Sequence, residues 1–364
     1  MIIGLPKETK LHEYRVAMTP IAVSDLVQAG HTLLVEPRAG LAAGWADNLY
    51  RDAGARIVSR KEIFRRAEMI VKVKEPQSSE FHLFREGQVL FTFLHLAGYP
   101  SLIRVLQRRK VIAIGYETVE TADGSLPLLA PMSEIAGRLA SLMGANCLRK
   151  DLGGKGRLLS GVRGKDRGRV TVIGVGHVGQ AAAVTAHGLG AEVRVVDLNE
   201  ERLETMRQKF SVETFRSSPK VICRLVRETD LLIGAVLVAG RRAPCVVTRE
   251  MVKGMEPGSV IVDVSIDQGG CVETSRATTI ERPTFTRFGV IHSCVANLPS
   301  LVPKSASEAL SRATFPYVKK VADLGYERAI DEDPALAKGV NLDRGEIVLA
   351  ALKECIEDGD VVGT

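Results

Sequence analysis

The stretch Val170-Thr-Val-Ile-Gly-Val-Gly-His-Val-Gly179 decides how this chain is read. An apolar, β-branched run from Val170 to Ile173 leads straight into Gly174-x-Gly176-x-x-Gly179, and the small residues from Gln180 to Leu189 then predict a helix. A second strand is expected from Ala191 to Val196, ending in Asp197. Strand, glycine turn, helix and strand-end acid together form the pattern that holds a dinucleotide. Gly174 permits the tight turn, Gly176 lets backbone amides approach a pyrophosphate, and Gly179 lets helix and strand pack closely. The pyrophosphate is expected at the positive end of the helix. Asp197 is expected to accept hydrogen bonds from the adenosine ribose. Three glycines alone would carry little weight; the flanking elements supply the specificity. An acid at that position repels a 2′-phosphate, so NAD is favoured over NADP, although Arg202 could soften the preference if it lies nearby.

Upstream of this unit, short apolar runs alternate with helical patterns. Strands are expected at Met1–Leu5, Thr32–Glu36, Met69–Lys74, Val89–Leu94 and Val111–Ile114, and helices at Pro20–Gln28, Lys61–Arg66 and Tyr99–Arg108. That alternation predicts a parallel sheet with helices on both faces. A long helix is expected from Pro131 to Lys150, with Ser133 as its N-cap and Gly153-Gly154 as its stop. Downstream, Leu231–Leu237, Ser259–Val264 and Val290–Val295 extend a second sheet, and Pro303–Leu324 is again helical. The tail from Pro334 to Asn341, with a last helix near Glu346–Glu357, would return to the first domain. The fold class is therefore α/β. Two doubly wound, Rossmann-like domains are expected, with a cofactor domain (131–302) inserted into a discontinuous substrate domain (1–130 and 303–364).

Bulk composition narrows the function classes. At 364 residues the chain exceeds one ordinary core. Its 45% apolar and 25% charged content is that of a soluble globular protein. The net charge of +6 is spread out, with no long basic face interleaved with aromatics, so nucleic acid is not an expected partner. Six scattered cysteines without a CxxC pair suit reduced thiols in a cytoplasmic setting better than a disulfide frame. No signal peptide is recognised at the start, and no apolar run is long enough for a membrane span. No His/Cys/Asp/Glu spacing suggests a metal site.

Open parallel sheets bind ligands beyond the carboxyl ends of their strands. Arg15, Lys74 and His95 fall there. Arg15 has the planar fork that suits a carboxylate, though it could equally cap the following helix. Lys72 and Lys74 share one face of their expected strand. Lys74, at its end, is better placed to meet a ligand, and Lys72 is expected to extend to solvent. His95 is the best acid–base candidate because imidazole titrates near neutrality. An isolated histidine is more often a satisfied core residue; here Leu94 and Leu96 flank it on an expected strand.

Several stretches together resemble the alanine dehydrogenase family over nearly the whole chain. They are Gly4-Leu-Pro-Lys-Glu8, Glu13-Tyr-Arg-Val-Ala17 with Thr19-Pro20, Val71-Lys-Val-Lys-Glu-Pro76 and Leu90-Phe-Thr-Phe-Leu-His-Leu96. Tyr116-Glu-Thr118, Leu128-Leu-Ala-Pro-Met-Ser-Glu134, Ile233-Gly-Ala-Val-Leu237, Val262-Asp-Val-Ser-Ile-Asp-Gln-Gly-Gly270 and Val295-Ala-Asn297 match as well. The N-terminal signature is shared with the nucleotide-binding subunit of proton-pumping transhydrogenases. The resemblance implies reversible, NAD-dependent oxidative deamination of L-alanine to pyruvate and ammonium, with hydride passing from the α-carbon to the nicotinamide. It implies a substrate site at Arg15, Lys74, His95 and Asn297, with His95 moving the proton and Asp267 as second catalytic residue. For the nucleotide it implies Ser133, His177 and Val178 of the glycine loop, then Asp197, Arg202 and Ser217 around the adenosine. Val236, Leu237, Val264, Ser265, Ile266, Asp267, Arg276, Val295, Ala296, Asn297 and Leu298 complete that set; Leu298 stands where the family usually has Met. By residue type alone, Asp267 before Gly269-Gly270 could equally be a turn former. A homo-oligomer, a hexamer, is also implied. Two rival readings stay open: a soluble transhydrogenase subunit, and a non-catalytic NAD-responsive binding protein.

Overall fold

The structure, a computed structural model, describes residues 1–236, 243–350 and 352–353. The chain divides into two compact units. One is formed by residues 1–132 together with the segment from Ser300 onward, the other by Ser133–Pro299.

In the first unit the chain runs β1 (Ile2–Leu5), α1 (Pro20–Gln28), β2 (Thr32–Val35), α2 (Asp47–Asp52), β3 (Arg56–Ile57), α3 (Arg60–Arg66), β4 (Met69–Val71), β5 (Val89–Thr92), α4 (Pro100–Arg108) and β6 (Ile112–Gly115). It passes into the second unit within α5 (Ala130–Cys147). There follow β7 (Arg169–Ile173), α6 (His177–Gly188), β8 (Glu192–Asp197), α7 (Glu200–Lys209), β9 (Glu213–Arg216), α8 (Pro219–Arg227), β10 (Leu231–Gly234), α9 (Arg249–Lys253), β11 (Val260–Asp263), β12 (Thr284–Arg287) and β13 (Val290–Ser293). The return to the first unit brings α10 (Pro303–Leu324), α11 (Tyr326–Glu332), α12 (Pro334–Lys338), β14 (Val340–Asp343) and β15 (Glu346–Ile347).

The first sheet has the order β15-β14-β6-β5-β4-β1-β2-β3, and the second β12-β13-β11-β10-β7-β8-β9. Stripped of their edges, both read 3-2-1-4-5-6, the doubly wound order whose switch point lies between the first and fourth strands. Those neighbours are β1 and β4 in one sheet, paired at Ile3 and Met69, and β7 and β10 in the other, paired at Val170 and Leu231. Central strands such as β5, β6, β10 and β11 are buried throughout, as sheets covered on both faces require. Helix starts are chemically marked. Thr19 caps α1 by accepting from the Ala22 amide, with Pro20 next, and Ser218 with Pro219 does the same for α8.

Several local expectations are corrected. The strand expected over Met69–Lys74 ends at Val71, and that over Val89–Leu94 ends at Thr92, so Lys74 and His95 lie in loops. Helix α5 starts at Ala130, which puts Ser133 in its first turn, not at its N-cap. The helix expected over Glu346–Glu357 gives way at its start to strand β15, while Ala350, Leu352 and Lys353 are helical as expected; residues 351 and 354–357 lie outside the described residues. The edges β12, β14 and β15 are antiparallel and were not anticipated. They are short or polar-rich, and their pairing depends on neighbours distant in sequence.

Candidate functional site

The chemistry-bearing residues gather at the carboxyl ends of each sheet. In the first unit, Arg15 follows β1, Lys74 follows β4, and His95 follows β5. The loop carrying Arg15 is tied to α10, whose Ser307 Oγ accepts from the Val16 amide (3.0 Å) and whose Ser311 Oγ accepts from that of Thr19 (3.1 Å). Arg15 is only 2% exposed. Its Nε and Nη2 donate to Glu13 at 2.7 and 2.6 Å, and Nη1 faces Met132 Sδ at 3.2 Å. The fork expected to grip a substrate carboxylate is thus engaged by Glu13, which composition and spacing gave no means of foreseeing.

Lys72 reverses its expected role. It is fully buried, with Nζ 3.0 Å from Glu80 Oε1 and 3.1 Å from Glu8 Oε2. Glu8 also accepts from the Val73 amide (2.6 Å), and Glu80 from Thr9 Oγ1 and the Gln77 amide. Burial opposes the ammonium, but the two carboxylates overcome it and raise the Lys72 pKa. This cluster anchors the loop that presents Lys74, whose Nζ lies 5.9 Å from the centre of the Phe93 ring. Beside it, Lys10 pairs with buried Glu75 at 2.5 Å. Two acids spaced by a buried lysine leave no periodic trace, so the sequence carried no signal for the cluster.

His95 adopts a left-handed backbone (φ 48°, ψ 37°). Leu94 and Leu96 are buried as expected, yet the histidine is exposed, because the strand has already ended. Its ring lies 5.8 Å from that of Phe93. Water reaches one side of it, but dense protein surroundings and the charges of Lys74, Lys10 and Arg15 hold its pKa well below the usual imidazole range. The cations act in the same direction as the crowding, so both favour the neutral form of the imidazole. Glu117, from the turn after β6, accepts from the amides of Leu94 and His95.

In the second unit the glycine loop has the geometry its residues call for. Gly174 has φ +92°, and a Cβ there would lie 2.4 Å from Ala235 O. A Cβ at Gly179 would lie 1.7 Å from Gly174 O, so only glycine lets α6 sit this close to the turn. At Gly176 a Cβ would meet nothing within 4 Å, which leaves bare backbone open before the first turn of α6. That cradle fits a pyrophosphate. Asp197, at the end of β8, accepts from the amides of Val175 (2.5 Å) and Asn199 (2.8 Å). The Ser217 amide donates to Asp197 O (2.8 Å), which brings Ser217 beside the acid, and Arg202 is exposed on α7.

Asp267 is exposed in a 3₁₀ turn, Val264–Gln268, that follows β11. Buried Asp263 organises that turn by accepting from the amides of Ser265, Cys271 and Val272. Ser265 Oγ donates to Val236 O (2.9 Å), which joins the loops after β10 and β11. Asn297 is left-handed (φ 59°) after β13, beside Val295, Ala296 and buried Leu298. Arg276 stacks on Phe285 of β12, its guanidinium carbon 4.5 Å from the ring centre. Leu237 lies outside the described residues. Among the described residues no cluster of His, Cys, Asp or Glu could hold a metal ion, and no helix is long and apolar enough to cross a membrane.

With that geometry in view, the comparisons with known proteins can be read. The family described as "Alanine dehydrogenase/PNT, N-terminal domain" matches residues 4–136, and its "C-terminal domain" counterpart matches residues 140–350. The chain belongs to the alanine dehydrogenase/PNT family. It is 50% identical to an alanine dehydrogenase of Methanococcus maripaludis, with 97% of this chain and 95% of that one covered. It is 49% identical to an alanine dehydrogenase of Bacillus subtilis, with 97% and 94% covered. A solved L-alanine dehydrogenase superposes with a TM-score of 0.95 at 49% identity, covering 98% of this chain and 99% of the other. A transhydrogenase from Sinorhizobium meliloti superposes with a TM-score of 0.82 at 24% identity, covering 96% and 100%, and shows the shared fold alone.

Proposed function

We propose that the chain is an L-alanine dehydrogenase, an oxidoreductase catalysing reversible, NAD-dependent oxidative deamination of L-alanine to pyruvate and ammonium. The observation that carries the reading is an imidazole, His95, whose pKa is held down by crowding and by the charges of Lys74, Lys10 and Arg15, in a chain about half identical to alanine dehydrogenases over nearly its whole length. Residues 1–130 and 303–364 are assigned to the substrate, residues 131–302 to the cofactor. A bound nicotinamide dinucleotide supplies the two-electron acceptor. The substrate carboxylate is held by Lys74, with Arg15, its fork engaged by Glu13, adding positive charge. His95, its pKa held below the usual imidazole range, accepts the proton that water loses as it adds to the iminium carbon and returns it in the reverse direction. Asp267 orients water or the amine, and Asn297 hydrogen-bonds the substrate or the cofactor ribose. The glycine loop cradles the pyrophosphate, and Asp197 favours NAD by repelling a 2′-phosphate. Cytoplasmic residence and a hexameric assembly belong to the same proposal, the second testable by light scattering.

An imidazole under the charges of Lys74, Lys10 and Arg15 suits an amino acid or oxo acid better than a second dinucleotide, which favours this reading over a transhydrogenase subunit. The test follows NADH formation by the purified protein across a panel of amino acids. Alanine should be the preferred substrate. Hydride exchange between nucleotides with no amino-acid oxidation would transfer the chain to the transhydrogenase reading, and binding without turnover to the NAD-responsive one.

A further inference from the structure

We propose that Glu117 is a positioning residue for His95, its carboxylate holding the left-handed turn that presents the imidazole; this rests on the role given to His95 above. Strand β5 ends at Thr92, and Phe93 still bonds back along the sheet to Val73 O (3.3 Å). The next two amides leave the ladder together. Leu94 N–H donates to both carboxylate oxygens of Glu117 (3.1 and 3.2 Å), and His95 N–H donates to Oε1 at 2.6 Å. Position 95 then has φ 48° and ψ 37°, a conformation in which any side chain with a Cβ is crowded against its own backbone. Such a residue persists only where its surroundings over-determine it. Charge-assisted bonds from two successive amides to one carboxylate do that, because an extended backbone would aim those amides to opposite sides.

The acid is itself fixed from elsewhere. Strand β6 is the parallel neighbour of β5, with Thr92 opposite Gly115, so the Tyr116–Thr118 turn carries Glu117 beside the emerging loop. Thr118 Oγ1 donates to Gly115 O and Gly339 O (both 3.1 Å), and Asn341 Nδ2 donates to Thr118 Oγ1 (2.7 Å). The returning C-terminal segment thereby braces the turn. Burial raises the Glu117 pKa, while the His95 and Leu94 amides and the Lys74 charge pull it down. The cation that faces the imidazole also faces its clamp.

Full-length Glu117→Ala and Glu117→Gln decide the matter through three readouts: alanine turnover, NADH dissociation constant by fluorescence, and the crystallographic backbone at residue 95. In Glu117→Ala, residue 95 should leave the left-handed region, and kcat should fall about 10–100-fold, the cost of a misplaced catalytic group. NADH affinity should hold within about twofold. Glu117→Gln keeps one acceptor oxygen and should fall between that variant and the parent. Unchanged φ and ψ at residue 95 with kcat within about threefold of the parent would overturn the proposal, as would an equal loss of turnover and NADH affinity. If Glu117→Ala does not fold, Glu117→Gln carries the same decision. A parent protein that fails to oxidise alanine would sink the functional reading alone, since the backbone at residue 95 still reports on the clamp.

Discussion

At the end of β7 the second unit turns through Gly174 and leaves bare amides in front of α6, whereas after β4 the first unit packs Lys72, Glu75 and Glu80 into its interior on either side of Lys74 in sequence. One end is left as bare backbone by removing side chains, the other is built by stacking charge on charge. Backbone amides lose little by waiting for a ligand, because they are small dipoles already fixed by the helix. A lysine in a loop is placed by the packing beneath it, and the carboxylates buried there persist only when their charge is balanced, as Glu8 and Glu80 are by Lys72. The first unit therefore carries a buried electrostatic cluster that the second does not need.

The sharpest way to break this comparison is to remove the group that the charged end serves. His95→Ala should lower alanine turnover by about 10²–10⁴-fold, the range for loss of a general acid–base group. NADH binding, read by fluorescence, should persist, because the residues proposed for the nucleotide lie on other loops. In the parent, turnover in the deamination direction should fall on acidification only below the ordinary imidazole range, since crowding and the Lys74, Lys10 and Arg15 charges depress the His95 pKa. An acid limb centred above that range would contradict the assignment.

Next in size is the buried cluster. Lys72→Met strands Glu8 and Glu80 without a cation and should cost about 3–5 kcal/mol in denaturant unfolding. The pH dependence has a definite sign. The Lys72 pKa is raised in the folded state, so its contribution is full below the ordinary lysine value and is lost as pH climbs through the folded one. The Glu80 pKa is lowered, so its contribution is present above the ordinary carboxylate value and is lost as pH falls through the folded one. In Lys72→Met the stranded acids should instead take up protons, and the variant's deficit should shrink between about pH 8 and pH 5. A deficit that grows on acidification would show that the cluster is not what holds the loop.

The glycine loop offers a smaller and cleaner contrast. Gly179→Ala places a Cβ 1.7 Å from Gly174 O, so α6 must shift, at a cost of about 1–3 kcal/mol in stability. Gly176→Ala meets nothing within 4 Å and should leave stability unchanged while weakening NADH binding. Equal melting shifts in the two variants would erase the distinction between a packing glycine and a cradle glycine.

The two ends also differ in how far they could be read from the chain. Gly174, Gly176, Gly179 and Asp197 announce themselves because each role is local: a turn, an approach, a helix contact and an acid at the next strand's end. The doubly wound order followed from alternating apolar runs, and α1 and α10 were placed to the residue. The charged end was legible only in the residues named one by one, Arg15, Lys74 and His95, and not in the acids that partner its cations. Lys72 was misread because its partners lie on two other loops and alternation along one strand cannot supply them. Arg15 was read as a carboxylate-binding candidate without its partner, since the pattern could not say that Glu13 already occupies the fork. Glu117 stood in a quoted motif with no role, because its work is done on a neighbouring strand's amides.

Asp197 gives the smallest and most discriminating effect, because its carboxylate serves the fold and the proposed cofactor choice at once. It accepts from the Val175 amide inside the glycine loop and from the Asn199 amide that opens α7. Asp197→Ala removes both bonds and should cost about 1.5 kcal/mol, the scale of a hydrogen bond to a charged group. It also removes the negative charge expected to exclude a 2′-phosphate, so NADP turnover should rise relative to NAD. Asp197→Asn separates the two roles. Its amide oxygen still accepts from Val175, so most of the stability should return, while the missing charge should leave the NADP gain in place. If Asn restores NAD preference along with stability, selectivity comes from the shape of the loop and not from its charge, and the second unit would then differ from the first even more sharply than its open backbone suggests.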